Sequence, residues 1–394
     1  MKSYTFVFII LLLLLIIPDI YFYFKLKSNN AKPIYIFLHL AGIVFFIAIF
    51  SYIKFRLDNA QNFRVVVWIM WFYFYFLLIY IPKLIHIFFY FINYLFKKIF
   101  KRRTAFFKYL RIAISAFVVI IMLVGAYITP RNFELTKVTV KIPNLPDSFN
   151  GYKIIQISDI HLGSWNNRYK KFNGVIKLIN RQNADIIVFT GDLVNNYAEE
   201  TDGWSPFFLQ LEAKNAKFAI KGNHDYGDYT DWDTFDKRKN NNLRINQSFE
   251  NFKFKLLLNE HVYLKKETDS ICLVGVENFG GKRTSNYSDL TKALQNTNPN
   301  DIKILLSHDP NHFDAEISKH KDIVLTLAGH THAAQLGIKI GDWLFSPAAF
   351  VFKYSAGLYK SENQYIYVNR GLGYIGLPLQ IGVRPEITLI ELIK

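Results

Sequence analysis

The chain has 394 residues, of which 51% are hydrophobic and 17% are aromatic, and its formal net charge is +16. The apolar fraction excludes a disordered chain, and the single cysteine, Cys272, excludes a disulfide framework. The charge is unevenly distributed: residues 1–130 carry 15 Lys/Arg and 2 acids, whereas residues 131–394 carry 32 Lys/Arg and 29 acids. We therefore expect a basic, apolar membrane region over 1–130 and a second domain over 131–394.

The first region contains four apolar runs, each close to the roughly 20 residues that cross a bilayer as a helix. The runs are Tyr4–Phe24, Ile34–Ile53, Val65–Ile81 and Ile112–Ile128. One or two of them could instead be buried core helices. After the third run, Leu84–Phe100 mixes apolar and basic residues, which indicates an amphipathic helix in the membrane interface or a long extension of the third helix.

The distribution of basic residues between these runs predicts an orientation. The connection between the third and fourth runs contains Lys97, Lys98, Lys101, Arg102 and Arg103 and no acid. The positive-inside rule places this connection in the cytoplasm. With four spans, the second domain then lies outside the cytoplasm, on a multi-pass protein of the inner or plasma membrane.

From about residue 136 the pattern becomes that of an α/β domain, in which short β-rich runs are separated by helical segments. The predicted strands are Thr136–Ile142, Lys153–Ser158, Asp185–Thr190, Lys217–Lys221, Ile271–Val276, Lys303–Ser307 and Ile323–Ala328. The predicted helices include Arg168–Gln182 and Tyr287–Gln295. The polar residues 226–252 are interpreted as an excursion over one face of the domain.

Five of these strands are followed by residues that can bind a metal ion. In chain order the motifs are Asp159-Ile160-His161, Gly191-Asp192, Gly222-Asn223-His224-Asp225, His308 and Gly329-His330-Thr331-His332. Ligands in α/β folds gather at the carboxyl ends of strands, so we expect the five motifs to converge. Each motif alone has an ordinary structural explanation, such as a turn for Gly-Asp, but the ordered set favours a metal site.

The residue types in these motifs indicate which metals would bind. Carboxylates, imidazoles and one amide oxygen suit divalent Mn, Fe or Zn. They are too many for one tetrahedral zinc ion, so two ions about 3.5–4 Å apart, bridged by a carboxylate, fit better. The spacing of two in Asp159-x-His161 and His330-x-His332 would send both side chains to one side of an extended segment. A glycine precedes three candidate ligands, where the chain must turn sharply. These are Gly191, Gly222 and Gly329.

Taken in this order, the five motifs resemble those of the calcineurin-like metallophosphoesterase family over roughly residues 150–375. The resemblance implies a four-layer α/β/β/α sandwich, with two mixed sheets packed face to face and helices outside. It also implies two divalent ions, with Asp192 bridging them. The implied ligands of one ion are Asp159, His161, Asp192 and His332. The implied ligands of the other are Asp192, Asn223, His308 and His330.

The resemblance further implies roles beside the metal ligands. A metal-bridging hydroxide would attack phosphorus, His224 would protonate the leaving oxygen, and Asp225 would orient the His224 ring. Arg370 lies in the turn Asn369–Gly373, which resembles a membrane-tethered branch of the family, and could contact a substrate phosphate or pair with an acid. That branch usually has Gly-Gly-Gln after the last motif, where this chain has Ala333-Ala334-Gln335, so a slightly narrower floor of the site is expected.

The expected function is that of a membrane-anchored two-metal phosphoesterase. Its substrate would be a phosphodiester, pyrophosphate or phosphomonoester of a small molecule or of a lipid-linked compound. Hydrolysis of a UDP-diacylglucosamine pyrophosphate and a non-catalytic membrane receptor for phosphorylated ligands are the alternatives. A balance of only +3 on residues 131–394 argues against a broad nucleic-acid track. The sequence sets no oligomeric state.

Overall fold

The computed structural model describes residues 16–57, 63–102, 104–165, 169–280, 285–341 and 343–394. The chain divides into two compact units. One is formed by Met1–Ala60 and Trp68–Val124, and the other by Gln61–Val67 and Gly125–Lys394.

The first unit is helical. The helices are α1 over residues 16–28, α2 over Pro33–Leu57, α3 over Phe63–Phe100 and α4 over Phe106–Tyr127. The start of α3, up to Val67, and the end of α4, from Gly125, are counted with the second unit. Among the described residues, three segments are long and apolar enough to cross a membrane, and they coincide with the second, third and fourth predicted runs. These are Pro33–Ile53, Phe63–Phe100 and Phe106–Arg131. Residues 4–15 of the first predicted run lie outside the described residues, and the end of that run is helical in α1.

The helix α3 is longer than the third predicted run. It is one continuous helix of 38 residues, about 57 Å long at 1.5 Å per residue. The prediction of a separate interfacial helix over Leu84–Phe100 is therefore wrong, and the alternative of a long extension is confirmed. Pro82 lies inside the helix without ending it, because apolar membrane helices tolerate proline when neighbouring groups satisfy the freed backbone atoms.

The second unit is built from strands and short helices. In chain order the strands are β1 Glu134–Lys141, β2 Tyr152–Ile157, β3 Ile186–Thr190, β4 Ala216–Ile220, β5 Lys255–Leu256, β6 Glu260–Lys266, β7 Asp269–Gly275, β8 Lys303–Leu306, β9 Ile323–Ala328, β10 Ile338–Ile340, β11 Trp343–Phe345, β12 Gly357–Ser361, β13 Gln364–Val368 and β14 Glu386–Ile393. The helices are α5 Asn173–Asn180, α6 Ser205–Phe208, α7 Phe235–Asn251, α8 Leu290–Ala293 and α9 Asn311–Ala315. All seven predicted strands are present, as β1–β4 and β7–β9.

The strands form two mixed sheets and a hairpin. The first sheet has the order β1-β14-β2-β3-β4-β5, and the second has the order β12-β13-β9-β8-β7-β6. Strands β2 to β5 are parallel, and so are β7, β8, β9 and β13. The strands β10 and β11 form a separate antiparallel hairpin. The carboxyl ends of β2, β3 and β4 therefore meet at one end of the first sheet, and those of β8 and β9 meet at one end of the second.

The two-residue period of the strands builds the layers. Ile154 on β2 and Leu306 on β8 lie in one buried cluster between the sheets. Their chain neighbours Ile155 and Leu305 face the opposite way, into clusters on the outer faces. Residues of α5 and α7 cover the first sheet there, and residues of α8 and α9 cover the second. The predicted four-layer α/β/β/α sandwich is confirmed.

The helical predictions in this unit were less accurate than the strands. Within the predicted helix over Arg168–Gln182, Arg168 lies outside the described residues, Tyr169–Phe172 form a 3-10 helix and the α-helix is limited to α5. The predicted helix over Tyr287–Gln295 is reduced to the single turn α8. The polar excursion over 226–252 contains a 17-residue helix, α7. Its polar composition hid this helix, because only Asn241, Ile245, Ser248 and Phe249 are buried, at helical spacing.

Candidate metal centre

The carboxylate and imidazole ligands predicted from the sequence come together as two adjacent groups. One group is Asp159, His161 and His332, and the other is Asp192, His308 and His330. Within each group the ligand atoms lie within 4.8 Å of one another. The Oδ2 atom of Asp192 is 3.2 Å from Nε2 of His308 and 3.7 Å from Nε2 of His161. Asp192 therefore lies between the two groups.

The atoms that face one another in each group are ring nitrogens and carboxylate oxygens. Nε2 of His332 is 3.1 Å from Nε2 of His161 and 3.3 Å from Oδ1 of Asp159. In the other group, Nδ1 of His330 is 3.3 Å from Nε2 of His308. Electron-pair donors at these separations are the arrangement that a cation would stabilise.

Backbone carbonyls select the ring nitrogen that two of the histidines present. Nδ1 of His308 donates to the carbonyl of Thr190 at 2.7 Å, and Nδ1 of His161 donates to the carbonyl of Val194 at 3.2 Å. In the neutral form of each ring, Nε2 then carries the lone pair and faces the group. Both carbonyls belong to β3 or to the loop after it, so the strand that precedes Asp192 also orients two imidazoles.

Asn223 supplies an independent test of whether the site fits metal ions. Its amide Nδ2 donates to the hydroxyl of Tyr229 at 2.7 Å, while its Oδ1 is buried without a hydrogen-bond partner. A buried amide oxygen without a partner is costly. Together with imidazole and carboxylate donors, this oxygen completes a set that suits borderline divalent ions. The residues present therefore fit two divalent metal ions.

The spacing of the motifs predicted extended backbone at the candidate ligands, but the backbone there is not extended. Five of them have a left-handed conformation. The φ angles are 49° at Asp159, 49° at His161, 60° at Asp192, 73° at His330 and 49° at His332. Such conformations are sparsely populated for residues with a side chain and cluster at functional sites. The expectation of extended segments is therefore wrong: left-handed turns, not an extended pleat, direct these side chains into the site.

The three glycines beside the ligands have two different roles. Gly191 has φ +97°, which confirms the sharp turn expected there. Gly222 and Gly329 are required for space instead. A Cβ at Gly222 would lie 2.2 Å from Oδ1 of Asp192, and a Cβ at Gly329 would lie 2.3 Å from Oδ2 of Asp159. Both glycines let the backbone approach a candidate carboxylate ligand directly.

His224 is half-exposed at the edge of the site. Its Nδ1 donates to the carbonyl of Asn195 at 2.7 Å, and its ring stacks on Tyr229 with 4.4 Å between centroids. The His161 ring lies edge-on to it at 5.0 Å. The ring is therefore held by Asn195 and Tyr229, two residues that the motif analysis missed. Neither a backbone carbonyl nor an aromatic residue four positions after the motif leaves a recognisable sequence signal.

The structure corrects the role expected for Asp225. Its buried carboxylate accepts backbone N–H groups from Asp192, Leu193, Val194 and Gly222 at 2.9, 2.9, 3.2 and 3.0 Å. It therefore holds together the loops after β3 and β4 and does not orient the His224 ring. The four converging N–H groups form a site for an anion, and this explains why the Asp225 carboxylate lies there.

Arg370 makes the ion pair that the sequence left open as one of two alternatives. Its Nε donates to Glu386 at 3.0 Å, and its NH2 group donates to Glu134 at 3.3 Å. The side chain is 5% exposed. Because two carboxylates hold the guanidinium, we assign Arg370 to fixing the turn Asn369–Gly373 and not to binding phosphate.

Burial and neighbouring charges perturb the titration of the site in opposite directions. Burial lowers the pKa of His161 to about 3. Burial alone would also lower the pKa of His308, but the Asp192 carboxylate raises it to about 10. His308 and His224 in turn hold the pKa of Asp192 well below its usual value, although burial opposes this. The Asp192 carboxylate thus favours positive charge beside it, which is the charge that a cation would supply.

Comparisons with known proteins agree with this geometry. A family model described as Calcineurin-like phosphoesterase matches residues 152–334. A "Transmembrane protein with metallophosphoesterase domain" of Bos taurus is 31% identical over 271 residues, covering 66% of this chain and 56% of that protein. The Danio rerio protein with the same description is 29% identical over 293 residues, with 72% and 62% covered. The "Uncharacterized metallophosphoesterase YkuE" of Bacillus subtilis is 30% identical over 269 residues, with 68% and 87% covered. The chain thus spans little more than half the length of the two vertebrate relatives.

Proposed function

Because the chain belongs to the calcineurin-like metallophosphoesterase family, we propose that it is a metal-dependent phosphoesterase that hydrolyses a phosphodiester or pyrophosphate bond of a lipid or lipid-linked substrate. The three candidate membrane helices associate the protein with a bilayer, where such substrates reside. The observation that carries the metal-dependent chemistry is the unpartnered Oδ1 of Asn223, buried beside six convergent Asp and His ligands.

We assign the ligands of the two ions as follows. Asp159, His161 and His332 would hold one ion, Asn223, His308 and His330 would hold the other, and Asp192 would bridge them. The position of Asp192 between the two groups supports this assignment. Two divalent ions held there would supply charge neutralisation of the phosphate oxygens and activation of water.

The chain's own residues would bind the substrate and move one proton. His224 and His330 are the half-exposed members of the site, so the substrate would enter beside them. The Nδ1–H of His224 is held by Asn195, which leaves Nε2 to donate a proton to the leaving oxygen. Asp192 also accepts the backbone N–H of His224 at 2.9 Å, which fixes the proton donor relative to the bridging carboxylate.

The membrane arrangement is part of this proposal. We place the membrane region at 1–130 and the catalytic domain at 131–394, supported by the division of the chain into compact units near residue 125. We place the catalytic domain outside the cytoplasm, supported by the basic connection before α4.

The test of catalysis uses the full-length chain in detergent, stripped of metal and resupplied with Mn²⁺. It is assayed on chromogenic phosphodiester and phosphomonoester substrates and on a lipid phosphodiester in mixed micelles. Asp192→Asn should lower turnover by more than about 100-fold, because even partners behind a metal ligand contribute about 10–100-fold. Asp202→Asn removes an exposed carboxylate that pairs with Arg244 and should leave turnover unchanged. Full Mn²⁺-dependent turnover in Asp192→Asn would refute the assignment.

A further inference from the structure

The hairpin β10–β11 exposes one apolar face. Its register pairs Ile338 with Phe345 and Ile340 with Trp343. Because paired residues of antiparallel strands point to the same side, all four side chains share one face. Their exposed fractions are 63% for Ile338, 68% for Ile340, 63% for Trp343 and 42% for Phe345.

The turn after the hairpin extends this face. Phe350 is 81% exposed and Val351 is 70% exposed. The ring of Phe350 lies edge-on to Phe345 at 6.1 Å, and Phe345 stacks on Trp343 at 5.9 Å. We call these residues the apolar hairpin surface. It consists of Ile338, Ile340, Trp343, Phe345, Phe350 and Val351. A contiguous exposed apolar surface of this kind marks a site of interaction with a membrane or a partner.

The base of the hairpin adjoins the end of α4. The carbonyl of Gly125, in the last turn of α4, accepts the N–H of Gln380 at 2.9 Å. The next residue, Ile381, forms a bridge with Leu336 and accepts the N–H of Gly337 at 2.9 Å. All of these residues belong to the same compact unit. The short segment 380–381 therefore joins the end of a membrane helix to the first residues of the hairpin.

An ion pair makes a second connection to the same place. Lys339, on the opposite face of β10, pairs with Glu134 at the start of β1. Glu134 lies only seven residues after Tyr127, the last residue of α4. Seven residues span at most about 25 Å. The hairpin is thus held close to the point at which the chain leaves the membrane helix.

The hairpin also continues directly from the metal centre. Only five residues separate His332 from Ile338, the first residue of β10. At the other end, Phe352 follows the apolar hairpin surface and lies edge-on to the His330 ring at 5.6 Å. The same short segment therefore carries candidate ligands at its start and contacts one of them at its end.

We propose that the apolar hairpin surface docks on the lipid bilayer that holds α4. Tryptophan and phenylalanine are typical of the apolar faces that interfacial segments bury in a bilayer. The short tether to α4 keeps the surface at high effective concentration beside the bilayer, which no diffusing protein partner shares. The bilayer is therefore the occupant that the chain itself brings to this surface.

Docking has a consequence for the substrate, and this consequence rests on the proposed function. A docked hairpin holds His330 and the rest of the site at the level of the lipid headgroups. The phosphoester would then be presented by a lipid within the bilayer, and a freely diffusing substrate would gain nothing from the hairpin.

The first test measures docking without measuring activity. Val351→Cys, within the surface, carries an environment-sensitive fluorophore in the full-length protein. The control is Thr268→Cys, an exposed position in the turn between β6 and β7, at the end of the strands away from the metal centre. The native Cys272 is fully buried and its thiol pKa is raised to about 12 by burial, so it stays unlabelled.

The labelled proteins are reconstituted in phosphatidylglycerol and phosphatidylethanolamine vesicles with nitroxide-bearing headgroups. We expect the Val351 probe to shift to shorter emission wavelength and to be quenched severalfold more than the Thr268 probe. Equal quenching of the two probes would refute docking. A shifted Val351 probe that lipid nitroxides do not quench, with crosslinking to a second copy or another protein, would identify a protein interface and also refute the proposal.

The second test separates docking from catalysis. Trp343→Ser/Phe350→Ser should lower turnover of a lipid phosphodiester in vesicles by about tenfold or more, since the surface acts through effective concentration. Turnover of a water-soluble phosphodiester should be unchanged. Equal loss on both substrates, or no loss on the lipid, would refute the consequence for the substrate. A protein that docks but hydrolyses neither substrate would refute the proposed function and leave docking intact.

Discussion

At the residue scale, the orientation of Asn223 and His224 depends on Tyr229, which belongs to none of the five metal motifs. The Tyr229 hydroxyl accepts the Nδ2 of Asn223, which turns Oδ1 into the site, and the Tyr229 ring stacks on His224. One aromatic side chain thus positions both a candidate metal ligand and the candidate proton donor. Its ring and its hydroxyl have separate effects that substitution can distinguish.

Tyr229→Phe keeps the stacked ring and removes the hydroxyl that orients Asn223. We expect Mn²⁺ to activate this variant about tenfold more weakly, because partners behind a metal ligand contribute about 10–100-fold to metal affinity. Calorimetric titration with Mn²⁺ measures the metal affinity, and turnover at saturating Mn²⁺ measures the activity that remains.

The matched controls separate positioning from general damage. Tyr263→Phe on β6 removes another tyrosine hydroxyl, which donates to Asp301 at 2.7 Å. This variant should leave Mn²⁺ activation unchanged. In an Asn223→Ala background, Tyr229→Phe should have little further effect. An equal effect in both backgrounds would contradict the proposed role.

At the element scale, the turn Asn369–Gly373 is fixed to the start of β14 by an internal ion pair. Glu386 accepts the backbone N–H and Nε of Arg370, both at 3.0 Å, and the Tyr367 hydroxyl at 2.7 Å. Burial alone would raise the pKa of Glu386, but Arg370 and these hydrogen bonds lower it below its usual value. The folded structure therefore stabilises the ionised form of the Glu386 carboxyl.

The sign of this shift predicts how stability depends on pH. Because the pKa of Glu386 is lower in the folded protein than in the unfolded chain, its contribution is present above about pH 4.5 and is lost as pH falls through the folded pKa. Glu386→Gln should lower the free energy of unfolding by about 3 kcal/mol at pH 7. The difference from the native protein should shrink below about pH 4.5.

Urea unfolding of the full-length chain in detergent between pH 3.5 and pH 7 measures this difference. Glu391→Gln, which removes a half-buried carboxylate from the same strand, is the control. A Glu386→Gln difference that grows as the pH falls would contradict the sign derived from the ion pair.

Another element differs from the expected family pattern without losing its shape. Ala333, Ala334 and Gln335 have φ angles of 47°, 50° and 55°, a conformation that glycine adopts more easily. The Gly-Gly-Gln expected at these positions suits that backbone directly. In this chain the turn is held by surrounding contacts instead, including the Ser346 hydroxyl on the carbonyl of Ala333.

The membrane helices contain a buried polar contact of their own. Asp19 on α1 is 2% exposed and accepts the Tyr80 hydroxyl and the Lys83 ammonium of α3, both at 2.6 Å. His39 on α2 lies 3.0 Å from the Asp19 carbonyl. Three helices of the first unit are therefore joined at one acidic residue. Ionisable groups within membrane helices persist only when they are paired in this way.

Breaking this pair from one side should destabilise the helical unit more than removing both partners. Asp19→Asn or Lys83→Met leaves one polar group without its charged partner, at a cost on the order of 3 kcal/mol. Asp19→Asn/Lys83→Met should recover much of the loss. Thermal denaturation in detergent reports the order of the melting temperatures, with the exposed Lys97→Met as control. A double variant less stable than both single variants would exclude this coupling.

At the scale of the whole molecule, function depends on which side of the membrane carries the second unit. Four spans with the basic connection before α4 in the cytoplasm would place the catalytic domain outside. The described residues contain three candidate spans, and most of the first predicted run lies before residue 16. The proposed orientation therefore depends on that first run crossing the membrane.

Labelling by a membrane-impermeant maleimide tests the orientation directly. Thr268→Cys should react in intact spheroplasts to the same extent as after lysis, because its exposed turn belongs to the catalytic domain. The native protein, whose Cys272 is buried, should not react in either preparation. Labelling of Thr268→Cys only after lysis would place the domain in the cytoplasm.

The sequence by itself determined the strands that end in candidate metal ligands, the chemical type of those residues and the apolar segments of the membrane region. These features are local. A buried strand needs a short apolar run, a metal needs particular donor atoms, and a bilayer needs about 20 apolar residues. Asp192 and Asn223 could therefore be selected as candidate ligands before any contact was known.

Only the tertiary structure decided how the remaining groups act, because their partners are distant in the chain. Asn195, and not Asp225, holds the His224 ring; Arg370 pairs with Glu134, more than 230 residues away. The length of α3 and the exposure of the hairpin β10–β11 were likewise invisible in the apolar pattern. An apolar run reads the same in sequence whether it faces a core, a lipid or water, and only packing assigns its surroundings.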